Sequence, residues 1–274
     1  EKLMPRIVFW SPYENMTGNT HTAVAISTLM GMTHKVTSLL MQANFNSRKM
    51  ESSFTPYEEL KQSGVFNNSN IGINALIRLI SSNKLTADSI QNYAKPVLKE
   101  RLDVLYGMSA DDPDGYKQII DNLPYMTRKA DEIYDLVFVD MPKSLDKKSI
   151  MDTVADAEIV VCVVNQDAVK FSDFFTTLSN NESLKDKTKI IVIADYEAAS
   201  KFNVMNIKLK YKVKDPIYVI PHNYIFADAC NSGTVIDFLY KNINSDPKDY
   251  NGNFIFQTLN IVNEIVNIAK IKDN

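Results

Sequence analysis

The chain has 274 residues, of which 45% are hydrophobic and 23% charged, which is typical of a globular protein and not of a collagen-like, disordered or coiled-coil one. Thirty basic and thirty-three acidic residues give a formal charge of -3, which argues against a polyanion binder of the histone kind. Two cysteines cannot supply the framework of a disulfide-stapled secreted protein, and the sequence contains no apolar run of roughly 18 residues and no signal-peptide pattern. We therefore expect a soluble protein of the reducing cytoplasm.

Short apolar runs alternate with helical patterns along the chain. The runs are mostly continuous, which is typical of strands covered on both faces, and they lie at 7–10, 36–41, 102–106, 136–139, 159–164, 190–193 and 217–220. Helical patterns lie between or after them, at 20–32, 73–81, 116–130, 171–178, 235–240 and 254–271. The first helix is expected to be amphipathic, with Ala23, Ile26 and Met30 on one face.

This alternation predicts an α/β fold with a doubly wound, mostly parallel sheet flanked by helices. No internal repeat or linker-like segment interrupts it, so we expect one domain over residues 4–274. Met4 directly precedes the first strand, which leaves two interpretations open. Either Met4 is the natural start, or an upstream domain has been removed.

The loop after the first strand is where such sheets usually bind phosphate. Gly18 and Thr20 match the second glycine and the hydroxyl residue of a P-loop, whose backbone amides wrap phosphates and whose hydroxyl holds magnesium. Tyr13 stands at the first glycine position, and Asn19 stands at the lysine position. By motif alone, Thr17 to Thr20 is equally well interpreted as an ordinary helix N-cap.

Further along the chain, Tyr134 to Pro142 reads YDLVFVDMP, and 155–166 reads ADAEIVVCVVNQ. Together with Phe9-Trp10-Ser11-Pro12 and Thr17-Gly18-Asn19-Thr20, these segments resemble the MinD/ParA family of deviant-Walker P-loop ATPases, and most closely its TadZ-like branch. The resemblance covers residues 7 to about 240 and implies the MinD/ParA fold.

The resemblance also implies a nucleotide site. Its phosphate side would consist of the first loop together with the end of the YDLVFVD strand, and its base side would follow the last predicted strand: Asn15, Met16, Thr17, Gly18, Asn19, Thr20, His21 and Asp140, then Pro221 and Asn223. Thr20 and Asp140 would be the magnesium pair, so weak binding of ATP and Mg²⁺ is expected.

Several positions depart from the family pattern. The family's signature lysine is Glu14 here, the loop lysine is Asn19, and the acidic residue that orients the attacking water is replaced within Gln42-Ala43-Asn44. The Asn-Lys pair that often contacts the base is Ala194-Asp195. We therefore expect a degenerate Walker A loop, no catalytic residues and hydrolysis that is absent or very weak.

Other candidate sites are better explained by ordinary structural roles. His21, His34 and His222 are scattered, and the acidic turn at 111–115 lacks the glutamate of a calcium loop. The lysines at 201–214 predict a solvated face, with nucleic acid or an acidic partner as the alternative. The last helix is expected to dock on its own sheet and not on a membrane.

Three functions remain open. The first is a TadZ-like scaffold, nucleotide-responsive or nucleotide-independent, that positions a bacterial pilus, secretion, conjugation or partition machine as a homodimer with protein partners. The second is an active ATPase whose missing charges come from elsewhere. The third is an α/β interaction module that does not bind nucleotide. Nucleic acid and membranes are not expected as partners.

Overall fold

A single sheet runs through the middle of the fold. The computed structural model describes residues 5–13, 17–43, 49–62, 72–107 and 113–271. Over these residues the sheet has eight strands: β1 (Arg6–Trp10), β2 (Ser38–Gln42), β3 (Lys95–Leu98), β4 (Leu102–Leu105), β5 (Leu136–Asp140), β6 (Ile159–Asn165), β7 (Thr188–Tyr196) and β8 (Ile217–Pro221). The seven predicted strands are confirmed, and β3 was not predicted.

The helices lie on both faces of this sheet. In the described part of the chain they are α1 (Asn19–Thr33), α2 (Lys49–Phe54), α3 (Tyr57–Gln62), α4 (Gly72–Ser81), α5 (Ala87–Tyr93), α6 (Pro113–Ala130), α7 (Lys148–Asp156), α8 (Ala168–Asn180), α9 (Glu182–Lys185), α10 (Val204–Tyr211), α11 (Tyr224–Ser232), α12 (Val235–Asn242) and α13 (Tyr250–Ala269). The six predicted helices are confirmed. None of the described helices is both long enough and apolar enough to span a bilayer.

The strand order is β3-β4-β2-β5-β1-β6-β7-β8, and every pairing is parallel except that of β3 with β4. The predicted doubly wound, mostly parallel sheet is therefore confirmed. From β1 the chain moves toward β2 on one side, and after β5 it crosses to β6 on the other. The strand order thus reverses around β1, where open α/β sheets form a crevice at their carboxyl ends.

Alternate residues of β1 point to opposite faces of the sheet and so divide the core in two. Ile7 and Phe9 belong to one core cluster, together with α1, α2, α11, α12 and α13. Val8 and Trp10 belong to the other cluster, together with helices α4 to α10. Both faces of the strand are buried, which explains why its sequence is a continuous apolar run.

The expectation that α1 is amphipathic is wrong. Its buried residues include Ala23, Ile26 and Met30 but also Val24, Thr28 and most of the rest of the helix. The reason is its position, because α1 contacts α2, α12 and α13 as well as strands of the sheet. A helix enclosed in this way is buried on nearly all sides.

The last helix, α13, packs on its own sheet as predicted. Phe254, Ile261 and Ile265 are buried in the cluster that contains Ile7 and Phe9. The acidic turn at 111–115 is only partly within the described residues, since Asp111 and Asp112 lie outside them and α6 begins at Pro113.

A buried ion pair anchors the start of β1. The side chain of Arg6 is 1% exposed and contacts the carboxylate of Asp131, and its Nη1 lies 2.9 Å from Oδ2 of Asp156. Arg128 binds the same oxygen of Asp156 through Nη2 at 2.8 Å, but its side chain is 57% exposed. The two arginines therefore share the carboxylate of Asp156, but Arg6 is buried and also pairs with Asp131, whereas Arg128 is exposed.

We expect Arg6→Ala to lower the free energy of unfolding by about 3–5 kcal/mol, because it leaves the buried Asp131 carboxylate without its cation. The matched control is Arg128→Ala, which should cost about 1 kcal/mol or less because that pair is exposed. Urea unfolding of both variants tests this, and equal losses would contradict the role of burial.

Candidate functional site

A cleft of about 770 Å³ opens at the carboxyl edge of the sheet. The ends of β1, β5, β7 and β8 border it, together with the first turn of α1. Eight of its lining residues come from the two loops and the helix predicted to bind nucleotide: Thr17, Gly18, Asn19, Thr20, His21, Pro221, His222 and Asn223. The structure therefore brings the two predicted sides of the site together, whereas Glu14, Asn15, Met16 and Asn44 lie outside the described residues.

Gly18 makes the turn from the loop into α1. Its φ is +77° and its ψ is 8°, which is the left-handed conformation that L side chains disfavour. A Cβ at this position would also lie 2.9 Å from Cβ of Ala194 in β7. The helix therefore begins without a side-chain cap, and the N-cap interpretation of this loop has no capping hydrogen bond to support it.

The first turn of α1 is tied to the end of β5. The Thr20 hydroxyl donates to Oδ2 of Asp140 at 2.7 Å, and Nδ2 of Asn19 donates to Oδ1 of the same carboxylate at 2.6 Å. Asn19 Nδ2 also lies 3.2 Å from the carbonyl oxygen of Phe9. Asp140 is 0% exposed, so these hydrogen bonds are made in the interior, directly beneath the cleft.

Asn19 stands where the expected motif has a lysine. Its NH₂ group faces Asp140 and Phe9, while its Oδ1 is buried and has no hydrogen-bond partner among the residues that the structure describes. Asn19 is 9% exposed and lines the cleft. The position therefore keeps hydrogen bonds to the strand ends but brings no positive charge.

The residues present fit a magnesium ion that arrives with phosphates. Mg²⁺ prefers oxygen ligands and is usually bound through one or two protein side chains plus phosphate and water. Thr20 and Asp140 supply a hydroxyl and a carboxylate side by side. No group of three or more His, Cys, Asp or Glu residues that could hold a metal occurs in the described ranges, so phosphates and water would have to complete the set.

His21 follows in the same turn, and its ring meets the ring of Phe226 edge-on at 6.3 Å. Burial and, as a smaller contribution, the positive charge of Lys49 together lower the pKa of His21 from 6.5 to about 4. At neutral pH His21 is therefore an uncharged imidazole at the wall of the cleft. It does not replace the missing lysine.

On the opposite side of the cleft, Asn223 caps α11. Its Oδ1 accepts from the backbone N–H of Phe226 at 2.8 Å, and its Nδ2 donates to Oδ1 of Asn251 at 3.0 Å. Both groups of the Asn223 amide are thus engaged within the protein. At the rim, the carboxylate of Asp195 contacts the ring of His222, and Asp195 has a φ of +55°.

Tyr13 and Gln42, two further positions at which the sequence departs from the expected pattern, differ in whether they line the cleft. Tyr13 lines the cleft and donates its hydroxyl to the carbonyl oxygen of Lys170 at 2.9 Å. Gln42 does not line it, because the end of β2 is buried and Gln42 is 2% exposed; its amide atoms have no hydrogen-bond partner within the described part of the chain. The lysines at 201–214 lie on the exposed side of α10 and in its flanking turns.

Sequence reasoning did not identify two lysines of this cleft, Lys49 and Lys143. Lys143 follows the Asp140-Met141-Pro142 strand end by one residue, so proximity to that motif could have identified it. Lys49 begins α2 and carries no local signal. Its place beside the cleft depends on how α2 packs in three dimensions.

The fold was compared with solved structures. A ParA family ATPase from Chlorobium tepidum superposes with a TM-score of 0.70 at 12% identity, over 96% of this chain and 98% of that one. MinD from Pyrococcus horikoshii, solved with Mg-ADP, gives 0.69 at 14% identity over 97% and 98%. The chain has the ParA/MinD fold. A McdA–ATP complex from Cyanothece gives 0.66 at 12% over 100% and 99%.

At the level of sequence, no family model and no curated protein matches the chain. The agreement with the solved structures is therefore one of architecture, which fixes the place of the cleft but not its chemistry.

We expect Gly18→Ala to destabilise the protein by about 1–2 kcal/mol from the left-handed backbone alone, and by more because of the contact with Ala194. The double variant Gly18→Ala/Ala194→Gly relieves that contact and should recover part of the loss. Thermal unfolding of the wild type, the two single variants and the double variant gives a double-mutant cycle. If the double variant is no more stable than additivity predicts, Ala194 does not constrain the turn.

A second prediction concerns pH. The folded-state pKa of His21 lies below the unfolded value, so between pH 6.5 and pH 4 the unfolded chain binds more protons than the folded protein. The contribution of uncharged His21 to the free energy of unfolding should be fully present above pH 6.5. It should fall by up to about 3 kcal/mol as the pH approaches 4. We expect His21→Gln to remove this part of the pH dependence in urea unfolding.

The matched control is His34→Gln, because His34 lies just beyond the end of α1 and does not line the cleft. If the difference in stability between the wild type and His21→Gln does not change between pH 7 and pH 4, the buried, uncharged state of His21 is contradicted.

Proposed function

We propose that this chain is a degenerate ParA/MinD-like protein, similar to TadZ, that binds ATP and Mg²⁺ weakly and acts as a positioning scaffold. It would work in the cytoplasm as a homodimer, with protein partners from a bacterial pilus, secretion, conjugation or partition system. One domain, 4–274, would carry this role. Neither a membrane nor nucleic acid is part of the proposal.

The observation that carries the proposal is the arrangement of Gly18 and Thr20, which line one end of the cleft, over the buried Asp140. A left-handed glycine opens a helix of 15 residues, whose N-terminal amides and dipole favour an anion. The hydroxyl and carboxylate that suit magnesium lie directly below, 2.7 Å apart. Phosphate and its metal would therefore meet suitable groups at neighbouring points.

The proposed binding is weak because Asn19 brings no charge. A hydrogen bond to a charged group contributes about 1.5–3 kcal/mol, so its loss should weaken phosphate binding by roughly ten- to a hundredfold. A bound Mg²⁺ would neutralise phosphate charge. Thr20 and Asp140 would hold it, while the α1 amides and Thr17 would orient the phosphates.

Hydrolysis of ATP requires more correctly placed groups than binding of ATP does. Phosphoryl transfer depends on positive charge around the transferred group and on an oriented nucleophile. Asn19 is uncharged, and the amide of Gln42 lies outside the cleft. These two positions favour a binding and positioning role and not turnover. Pro221 and Asn223 would lie beside the base of the bound nucleotide. The homodimer face would be the loop face, because the nucleotide would lie there.

An active ATPase is the second candidate, and one observation favours it. Lys49 and Lys143 line the cleft and could supply the missing positive charge. The remaining alternative, an α/β interaction module that does not bind nucleotide, predicts no response to ATP at all.

The test is Asn19→Lys, with binding and turnover measured on one preparation. We expect ATP and magnesium to bind the variant about tenfold or more tightly than the wild type, because one charged contact returns. Turnover should stay at background in both, since transition-state stabilisation needs the other groups as well. Calorimetry and a phosphate-release assay give the two readouts.

Asp140→Ala serves as the control that removes the magnesium carboxylate. Wild-type turnover that disappears in Asp140→Ala would establish the active ATPase in place of the scaffold. If neither the wild type nor Asn19→Lys binds ATP, the module that does not bind nucleotide is the correct function.

A further inference from the structure

Two lysines enter the cleft from different parts of the fold. Lys49 is the first residue of α2, and Lys143 lies in the loop that follows β5. Both are exposed and both line the cleft. Neither forms an ion pair with another residue in the described ranges.

The neighbours of each lysine indicate where it lies in the cleft. Lys49 is close enough to His21, in the first turn of α1, for its charge to lower the pKa of that imidazole. The backbone of Lys143 is anchored because its carbonyl oxygen accepts from the indole N–H of Trp10 at 2.9 Å. One lysine therefore lies near the helix N-terminus, and the other follows the strand that ends in Asp140.

The described lining of the cleft carries two lysines and one carboxylate, and the carboxylate of Asp140 is buried beneath it. Among the described residues that line it, the carboxylate is Asp195, and that group contacts His222. His21 is uncharged at neutral pH.

We propose that Lys49 and Lys143 contact the phosphates of a nucleotide bound at the N-terminus of α1, and so supply part of the positive charge that Asn19 does not bring. This inference rests on the proposed nucleotide binding. A lysine carries its charge on a flexible four-carbon stem, so it can reach a phosphate from outside the loop. The positive charge of the site would thus come from α2 and from the loop after β5.

The experiment compares Lys49→Gln, Lys143→Gln and the double variant with the wild type, by calorimetry with ATP, ADP and AMP in the presence of magnesium. Each substitution should weaken ATP binding by about ten- to a hundredfold, because each removes a charged phosphate contact. The loss should shrink from ATP to AMP, and the salt dependence of ATP binding should become less steep in the double variant.

The controls are Lys61→Gln in α3 and Lys148→Gln at the start of α7, both exposed and outside the cleft. They should leave the affinity for ATP unchanged, and thermal unfolding of every variant should match the wild type. Equal ATP affinity in the wild type and the double variant contradicts this inference but leaves nucleotide binding intact. A wild type that does not bind ATP contradicts the proposed function and this inference together.

Discussion

A carboxylate with no solvent exposure lies at the centre of the sheet's carboxyl edge. Asp140 pairs with Phe9 of β1 on one side and with Gln42 of β2 on the other, so it cannot move toward water. A buried charge is costly unless it is hydrogen-bonded, and the Thr20 hydroxyl and the Asn19 amide meet its two oxygens. This requirement places the first turn of α1 over β5. Gly18 must then turn beside Ala194, and the cleft opens where the loop leaves the strand.

The amide of Asn19 ties the start of α1 to two strand ends. It bonds both the Asp140 carboxylate and the Phe9 carbonyl. The Asn19 side chain is uncharged, so it would not supply a positive charge to a bound phosphate. The fold of this loop and its charge are therefore separable properties.

The strands were largely predictable because each is covered on both faces and reads as a continuous apolar run. The antiparallel β3 was missed because an exposed edge strand tolerates polar residues and proline, and Lys95 and Pro96 begin it. The enclosure of α1 was not predictable either, since it depends on α12 and α13, far away in sequence. The contact between Thr20 and Asp140 was predictable because each belongs to a motif. Lys49 was not found, because only packing brings α2 beside the cleft.

The indole of Trp10 gives this molecule an internal spectroscopic probe. It is the sole tryptophan of the sequence, it is 1% exposed, and its N–H is bonded to the carbonyl oxygen of Lys143. Its fluorescence therefore arises from one place, the junction of the central strand with a loop at the rim of the cleft. A ligand that draws the Lys143 segment inward would alter this hydrogen bond. The emission of the unmodified protein would report that movement without any label.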